Sequence, residues 1–404
     1  MTKSRRESAG VKALVKRADR RYMGRDGPPH DVQVAGAHGS YVHGADGRRY
    51  VDFVAGWCVG NLGWDVPEIR ARLRRFDGPD YVHPSYVYGP WTELAKQLAD
   101  ITPGRLQRSY RATGGTEAVE IALQLAMAAT GRSKLMSIEG SYHGNSLGTM
   151  SVGSSAYREH LPNLLRGCLK LKPPLDAKAL DRVERHLRKR DIAAFIMEPV
   201  VCNLGALVPD RPFMRGLQRL CRRYGTLLIL DEVATGFGRT GRLFASELFG
   251  LAPDIMTMAK AITGGHAAMG ATIATERVAR AADGKINVYS TYGWHPLGVE
   301  AALATLAYLR AHRARVLANV AERSEDFRSR LHRMQFGVPV EIRVTGLAIG
   351  LVFEDDAYAG ALVDRCRDAG LLLSVDDDTV TVFPALTISR RTALEGLDIL
   401  ERCI

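Results

Sequence analysis

Residues Leu227–Gly265 read LLILDEVATGFGRTGRLFASELFGLAPDIMTMAKAITGG. Two short apolar runs, TLLIL from Thr226 and DIMTMA from Asp254, each stop at a charged residue: Asp231 after the first, Lys260 after the second. Continuous apolar runs of this length suit strands buried on both faces; strands with one wet face alternate instead. In open parallel sheets the crevice that takes a ligand lies beyond the carboxyl ends of the strands. A buried strand that ends on Asp231 and Glu232, and is followed by a glycine-rich segment, therefore needs a chemical reason.

The same texture continues on both sides. KLMSIEG (Lys134–Gly140), AAFIMEP (Ala193–Pro199) and GATIAT (Gly270–Thr275) are further apolar runs separated by helical segments. This alternation predicts an α/β architecture whose central sheet is mostly parallel and covered on both faces. TGGTEAVEIALQLAMAATG (Thr113–Gly131) keeps helical spacing at Val119, Ala122, Leu123 and Ala126, with Gly131 as its stop. GSYVHGADGRRYVDF (Gly39–Phe53) alternates around Asp46–Gly47 as a hairpin does. Residues 297–333 predict one or two long helices. Beyond them strands mix with a helix near Ala361–Ala369, a smaller α+β domain that recruits the N-terminal hairpin. The expected division is 1–58 as an N-terminal segment joining the small domain, 59–305 as the large domain, and 306–404 as the C-terminal small domain.

Composition narrows the class. A chain of 404 residues exceeds one small core. No apolar run approaches the about 18 residues of a membrane span, and the basic start MTKSRRESAGVKALVKRADRR lacks the apolar core of a secretory signal. An exposed basic arm or first helix is the expectation there. The six cysteines are scattered without a C-x-x-C pair, so neither a disulfide framework nor a metal site is expected, and a reducing cytoplasm fits. The formal charge of +11 raises nucleic acid as a partner, but the arginines are spread through segments such as RARLRRF and ERHLRKRD rather than gathered in one stripe. No nucleic-acid partner is expected.

One local pattern is a decoy and three carry chemistry. GFGRTG (Gly236–Gly241) matches a dinucleotide fingerprint in form only, because DEVAT separates it from its strand. Asp231, at a strand tip, is placed to hold a ligand proton or cation, or else is a helix cap or solvated loop acid. Lys260, set between Ala259 and the Gly264–Gly265 pair, is a desolvated amine nucleophile or a solvated strand-end lysine. Gly114, Gly115 and Thr116 open a helix whose free N–H groups suit a phosphate; the alternative is a plain glycine-rich loop. Taken together, an anion cradle, an acid and an amine are what pyridoxal 5'-phosphate requires.

On these residues the chain resembles a class III pyridoxal-phosphate aminotransferase of fold type I. The segments that carry the resemblance are GGTEAVEIALQLA, GSYHGNSLGTMSV, FIMEPV, the Leu227–Gly265 block and STYGWHPLGVEAALATL. The resemblance implies that Lys260 forms the Schiff base with the cofactor and that Asp231 partners the ring nitrogen. It implies that Tyr142 stacks on the ring with His143 beside it, that Val233 packs on the other face, and that Glu198 supports the site. Gly114, Gly115 and Thr116 would bind the phosphate, and Thr291 would reach the phosphate of a partner subunit, which makes a homodimer with shared sites the expected assembly. The implied partners are a small amino donor and an oxo acceptor.

Two departures bear on substrate. Asn145 stands where relatives acting on ornithine, acetylornithine or 4-aminobutyrate commonly carry arginine, which removes a bidentate grip on carboxylates. Ala234 stands where many relatives have glutamine near the ring hydroxyl. Trp57, Tyr86 and Tyr88 offer an aromatic substrate entrance, or simply pack a domain junction. The substrate expected is an ω-amine, amino acid or amino sugar. The competing reading is an aminomutase similar to the glutamate-1-semialdehyde enzymes, which moves the amino group within one molecule.

Overall fold

A computed structural model describes residues 14–24 and 32–404. Residues 14–22 are helical; the rest of the basic opening segment lies outside the described residues. Three N-terminal strands come first: β1 (Val34–His38), β2 (Tyr41–Gly44) and β3 (Arg49–Asp52). The hairpin expected around Asp46–Gly47 is the antiparallel β2–β3 pair.

The central sheet is built from β4 (Leu106–Ala112), β5 (Lys134–Ile138), β6 (Cys168–Leu171), β7 (Ile192–Met197), β8 (Leu227–Asp231), β9 (Ile255–Met258) and β10 (Gly270–Thr275). Their order across the sheet is β4-β10-β9-β8-β7-β5-β6. All neighbours are parallel except at β10, which runs antiparallel to both β4 and β9. The sheet is mixed but mostly parallel. Its central strands read as unbroken apolar runs because each face is covered: Leu228 and Leu230 pack with the helices Ala179–Leu187 and Arg211–Tyr224, whereas Leu227 and Ile229 pack with the helix Gly115–Thr130. Each of these side chains contributes about 1.5–3 kcal/mol by burial. The helix Gly115–Thr130 ends where expected, on Gly131 in the left-handed conformation (φ 67°).

Residues 296–331 form one continuous helix, Pro296–Leu331. Leu303, Leu306 and Leu309 pack against the central sheet, while Val316, Val320 and Phe327 belong to a separate C-terminal core. Residue 305/306 is thus inside a helix that serves both cores. The C-terminal strands are β11 (Val340–Thr345), β12 (Ala348–Phe353), β13 (Leu371–Leu372), β14 (Ser374–Asp376) and β15 (Thr379–Val382). Four of them form a sheet in the order β11-β12-β15-β14. The fifth, β13, pairs in parallel with β3 through Leu371–Val51 and Leu372–Asp52. Val51 and Phe53 enter the C-terminal core with it. Among the described residues no helix is long and apolar enough to cross a membrane.

Candidate active site

A cavity of about 660 Å³ opens at one edge of the central sheet, a volume in the range of small-molecule sites. Its lining follows the topology. Thr113–Thr116 come after β4, Tyr142 and His143 after β5, Glu198 after β7, Asp231, Val233 and Ala234 at the end of β8, and Lys260 after β9. Ala267–Met269 lead into β10, whose antiparallel course brings its start to the same edge. Segments spread from residue 113 to residue 269 converge because the parallel strands share one carboxyl edge and β10 starts at it.

Asp231 is 3 % exposed and engaged through both oxygens. Its Oδ1 accepts from Thr257 Oγ1 (2.9 Å) and the Val233 N–H (3.1 Å), and its Oδ2 lies 2.7 Å from Nδ1 of His143. A carboxylate has about four acceptor positions, so one remains for a donor in the cavity. Thr257 sits on β9 beside Asp231 in register, which is why its hydroxyl reaches the acid.

Lys260 does not end a strand, as its sequence context suggests. β9 stops at Met258, and Lys260 opens a short 3₁₀ turn with φ 46°. Left-handed backbone at a non-glycine residue costs about 1–2 kcal/mol and persists only where the surroundings impose it. The result turns the side chain into the cavity, with Nζ 5.6 Å from the centre of the Trp57 ring. Trp57 itself rides on a left-handed turn: Ala55, Gly56, Trp57 and Cys58 all have φ between 45° and 68°. Asp52 holds that turn, since its Oδ1 accepts from the N–H groups of Val54 and Ala55, both at 2.9 Å. The indole is fixed by an N–H bond to Ser374 Oγ (2.9 Å) and an edge contact with Phe383.

At the cradle, the helix starting at Gly115 has Gly114 as N-cap with no side-chain cap, so its first N–H groups are not satisfied within the helix. A Cβ built on Gly114 meets no atom within 4 Å, whereas one on Gly115 would lie 3.0 Å from Val233 Cγ1. Open space lies in front of the first glycine; close packing onto the strand-end loop requires the second. Tyr142 lines the cavity while 47 % exposed.

Glu232, for which sequence reasoning finds no role, is wholly buried and points away from the cavity lining. Its Oε2 accepts from Thr235 Oγ1 (2.5 Å) and the Ala245 N–H (3.0 Å), its Oε1 from the Ser246 N–H (2.8 Å). One carboxylate thus closes the Thr235–Ser246 loop. Burial pushes the Glu232 carboxyl upward and these donors oppose it. The glycines of that loop do not line the cavity. Only Val233 and Ala234 of the segment 232–246 line the cavity. Gly238 (φ 103°) instead passes so close to Leu386 that a Cβ would come within 2.7 Å, and buried Arg239 bonds the carbonyls of Leu347 (2.9 Å) and Pro384 (2.6 Å) and Oδ1 of Asn61 (2.6 Å). The loop fastens the central sheet to the C-terminal core. Glu232→Gln places an amide donor against backbone donors, and we expect a loss of about 1–3 kcal/mol in urea unfolding.

Of the residues singled out by sequence, Trp57, Gly114, Gly115, Thr116, Tyr142, His143, Glu198, Asp231, Val233 and Lys260 line the one cavity. Tyr86, Asn145 and Thr291 do not; all three are exposed on the single chain. Asn145 meets the site only through its backbone, whose N–H donates to Thr116 Oγ1 (3.2 Å). Sequence reasoning missed Tyr157, Cys202, Asn203 and Asp376. Cys202 and Asn203 follow β7 at the carboxyl edge, a signal that could have found them. Asp376 arrives from β14 with no local signal.

A family model for class III aminotransferases matches residues 22–404. The chain belongs to the class III aminotransferases. It is 34 % identical over 400 residues to the acetylornithine aminotransferase of Methanosarcina mazei, covering 98 % of this chain and 97 % of that one. Among solved structures, the taurine:2-oxoglutarate aminotransferase of Bifidobacterium kashiwanohense, in complex with pyridoxal phosphate and glutamate, superposes with a TM-score of 0.90 at 26 % identity, covering 97 % of both chains. An amine transaminase from an uncultivated Pseudomonas species, in its cofactor-bound form, gives 0.85 at 30 % identity, covering 95 % of this chain and 97 % of that one. The chain has the fold type I architecture of pyridoxal-phosphate transaminases. The residues present fit the family's cofactor: an uncapped helix start facing open space, and a carboxylate with one acceptor position left.

Proposed function

We propose that this aminotransferase holds pyridoxal 5'-phosphate between Lys260 and Asp231 and passes an amino group from an ω-amine to a separate oxo acceptor. The observation that carries this reading is that Asp231, at the end of β8, and Lys260, in the turn after the adjacent parallel strand β9, line one cavity together with the Gly114–Thr116 helix start. Bound there, the cofactor supplies an aldehyde that condenses with amines and a ring that absorbs the electron pair left when the neighbouring carbon loses its proton. The chain supplies the rest. Gly114, Gly115 and Thr116 hold the phosphate, Asp231 keeps a proton on the ring nitrogen, and His143 and Thr257 hold Asp231 in place. Tyr142 and Val233 cover the ring faces. Lys260 Nζ, once an amine substrate takes its place, is the base that removes the proton from the substrate carbon beside nitrogen.

The preference for an amine rests on charge. Among the described residues lining the cavity, the acidic group not already assigned to the cofactor is Asp376, no arginine is present, and Trp57 adds an aromatic face. Such a lining favours an amine-bearing tail over a carboxylate. The amine transaminase among the structural relatives agrees with this. The exposed aromatic side chains Tyr81, Tyr86, Tyr289 and Tyr292, grouped next to Thr291 with Tyr81 and Tyr292 6.0 Å apart, support a second copy packing there and completing each site. We place the enzyme in the cytoplasm, in keeping with its six free cysteines.

Single half-reactions test the substrate. A primary ω-amine added without acceptor is expected to bleach the yellow protein, and an oxo acid to restore the colour. If only carboxylate-bearing α-amino acids bleach it, the ω-amine assignment is wrong. Turnover of one substrate without any oxo acceptor is the result that favours the aminomutase.

A further inference from the structure

We infer that Glu198 donates a hydrogen bond to the ring hydroxyl oxygen of the cofactor, replacing a contact that the methyl group of Ala234 cannot make. This rests on the reading that Lys260 and Asp231 hold the two ends of the ring. In pyridoxal phosphate the ring nitrogen and the carbon bearing the aldehyde are opposite each other, so two edges remain between them. The phosphate arm leaves from one edge and the hydroxyl sits on the other. Strand order assigns these edges. The phosphate cradle follows β4, on the Lys260 side of the sheet, whereas Glu198 follows β7, the neighbour of β8 on the opposite flank. Glu198 and Ala234 both line the cavity.

The carboxyl group is suited to donating. Glu198 is 6 % exposed and its Oε2 accepts the Cys202 N–H at 3.2 Å. The groups around it are Asp231 from β8, Lys260 after β9, Cys202 on its own loop and Cys58 from the left-handed turn, with Arg239 reaching both thiols. Burial, then the charge of Asp231, push the Glu198 carboxyl well above its ordinary range; Lys260 and the Cys202 N–H oppose this. The upward direction favours the protonated form, the form that can donate.

The test uses the loaded enzyme and its colour change with pH. In Glu198→Ala we expect the midpoint of the visible titration to move by at least about one pH unit, the scale of one lost hydrogen bond to a charged group. In Glu198→Gln, whose amide still donates, the midpoint should stay within about half a unit. An unmoved midpoint in folded Glu198→Ala, or equal shifts in both variants, overturns the inference. Infrared difference spectra of loaded against cofactor-free parent enzyme give a second readout that does not need the alanine variant. A protonated carboxyl band that shifts on loading and vanishes in Glu198→Gln is expected; its absence overturns the inference. A parent enzyme with no visible band at all points instead to failure of the Lys260 reading.

Discussion

Lys260→Ala is expected to lower amino transfer by at least about 10³-fold while the protein still folds and still takes up cofactor through the Gly114–Thr116 cradle. Two losses combine. The covalent anchor that positions the cofactor disappears, and so does the base that moves the substrate proton, a role worth about 10²–10⁴-fold by itself. Folding should survive because Lys260 makes no hydrogen bond on which a core element depends, and its left-handed backbone (φ 46°) is no worse for alanine than for lysine. The check is turnover with the best amine donor alongside far-ultraviolet circular dichroism. Normal turnover in the folded variant contradicts the assignment.

Asp231→Asn is expected to lower turnover by about 10²–10³-fold, the usual size for removing a fixed group aimed at developing charge. Asparagine keeps the shape but turns one acceptor into a donor. Oδ1 of the aspartate already takes two hydrogen bonds, from Thr257 and Val233, and Oδ2 faces His143 at 2.7 Å. The amide nitrogen then sits either against two donors or against His143 and the ring nitrogen. On the role proposed for Asp231, the ring in both orientations loses the negative partner that favours its protonated form. Half-reaction rates should fall more than cofactor affinity, since the phosphate cradle is untouched. A fall confined to cofactor affinity argues that Asp231 only shapes the pocket.

The legible parts of this molecule were those in which one physical demand dominates a short segment. Strands β5, β7, β8 and β9 are buried on both faces, so they could be read as apolar runs. Strand β4 (LQRSYRA) sits at the sheet edge with most residues partly exposed, and β6 (CLKL) is a four-residue edge strand, so neither carries that signal. Nor does GATIAT reveal that β10 runs antiparallel, because side-chain burial is indifferent to strand direction. In the site, Lys260 and Asp231 stood out as charges ending buried runs. The partners that set their geometry did not. Thr257 looks like part of a strand, the left-handed turn at Ala55–Cys58 depends on Asp52, and Glu232 acts on a loop that folds back from Ala245 and Ser246. The Thr257 and Glu232 contacts join segments 13 to 26 residues apart, which local spacing does not encode; the Asp52 contacts are local, two and three residues ahead, but nothing in the residues themselves marks the left-handed turn they hold.

Borohydride reduction of the yellow holoenzyme, followed by proteolysis and mass mapping, tests the central arrangement most directly. The mass of the reduced cofactor should appear on the peptide that contains Lys260, and on no other lysine. Its recovery on a different lysine, or on none, contradicts an amine and an acid from adjacent strand ends holding one ring between them.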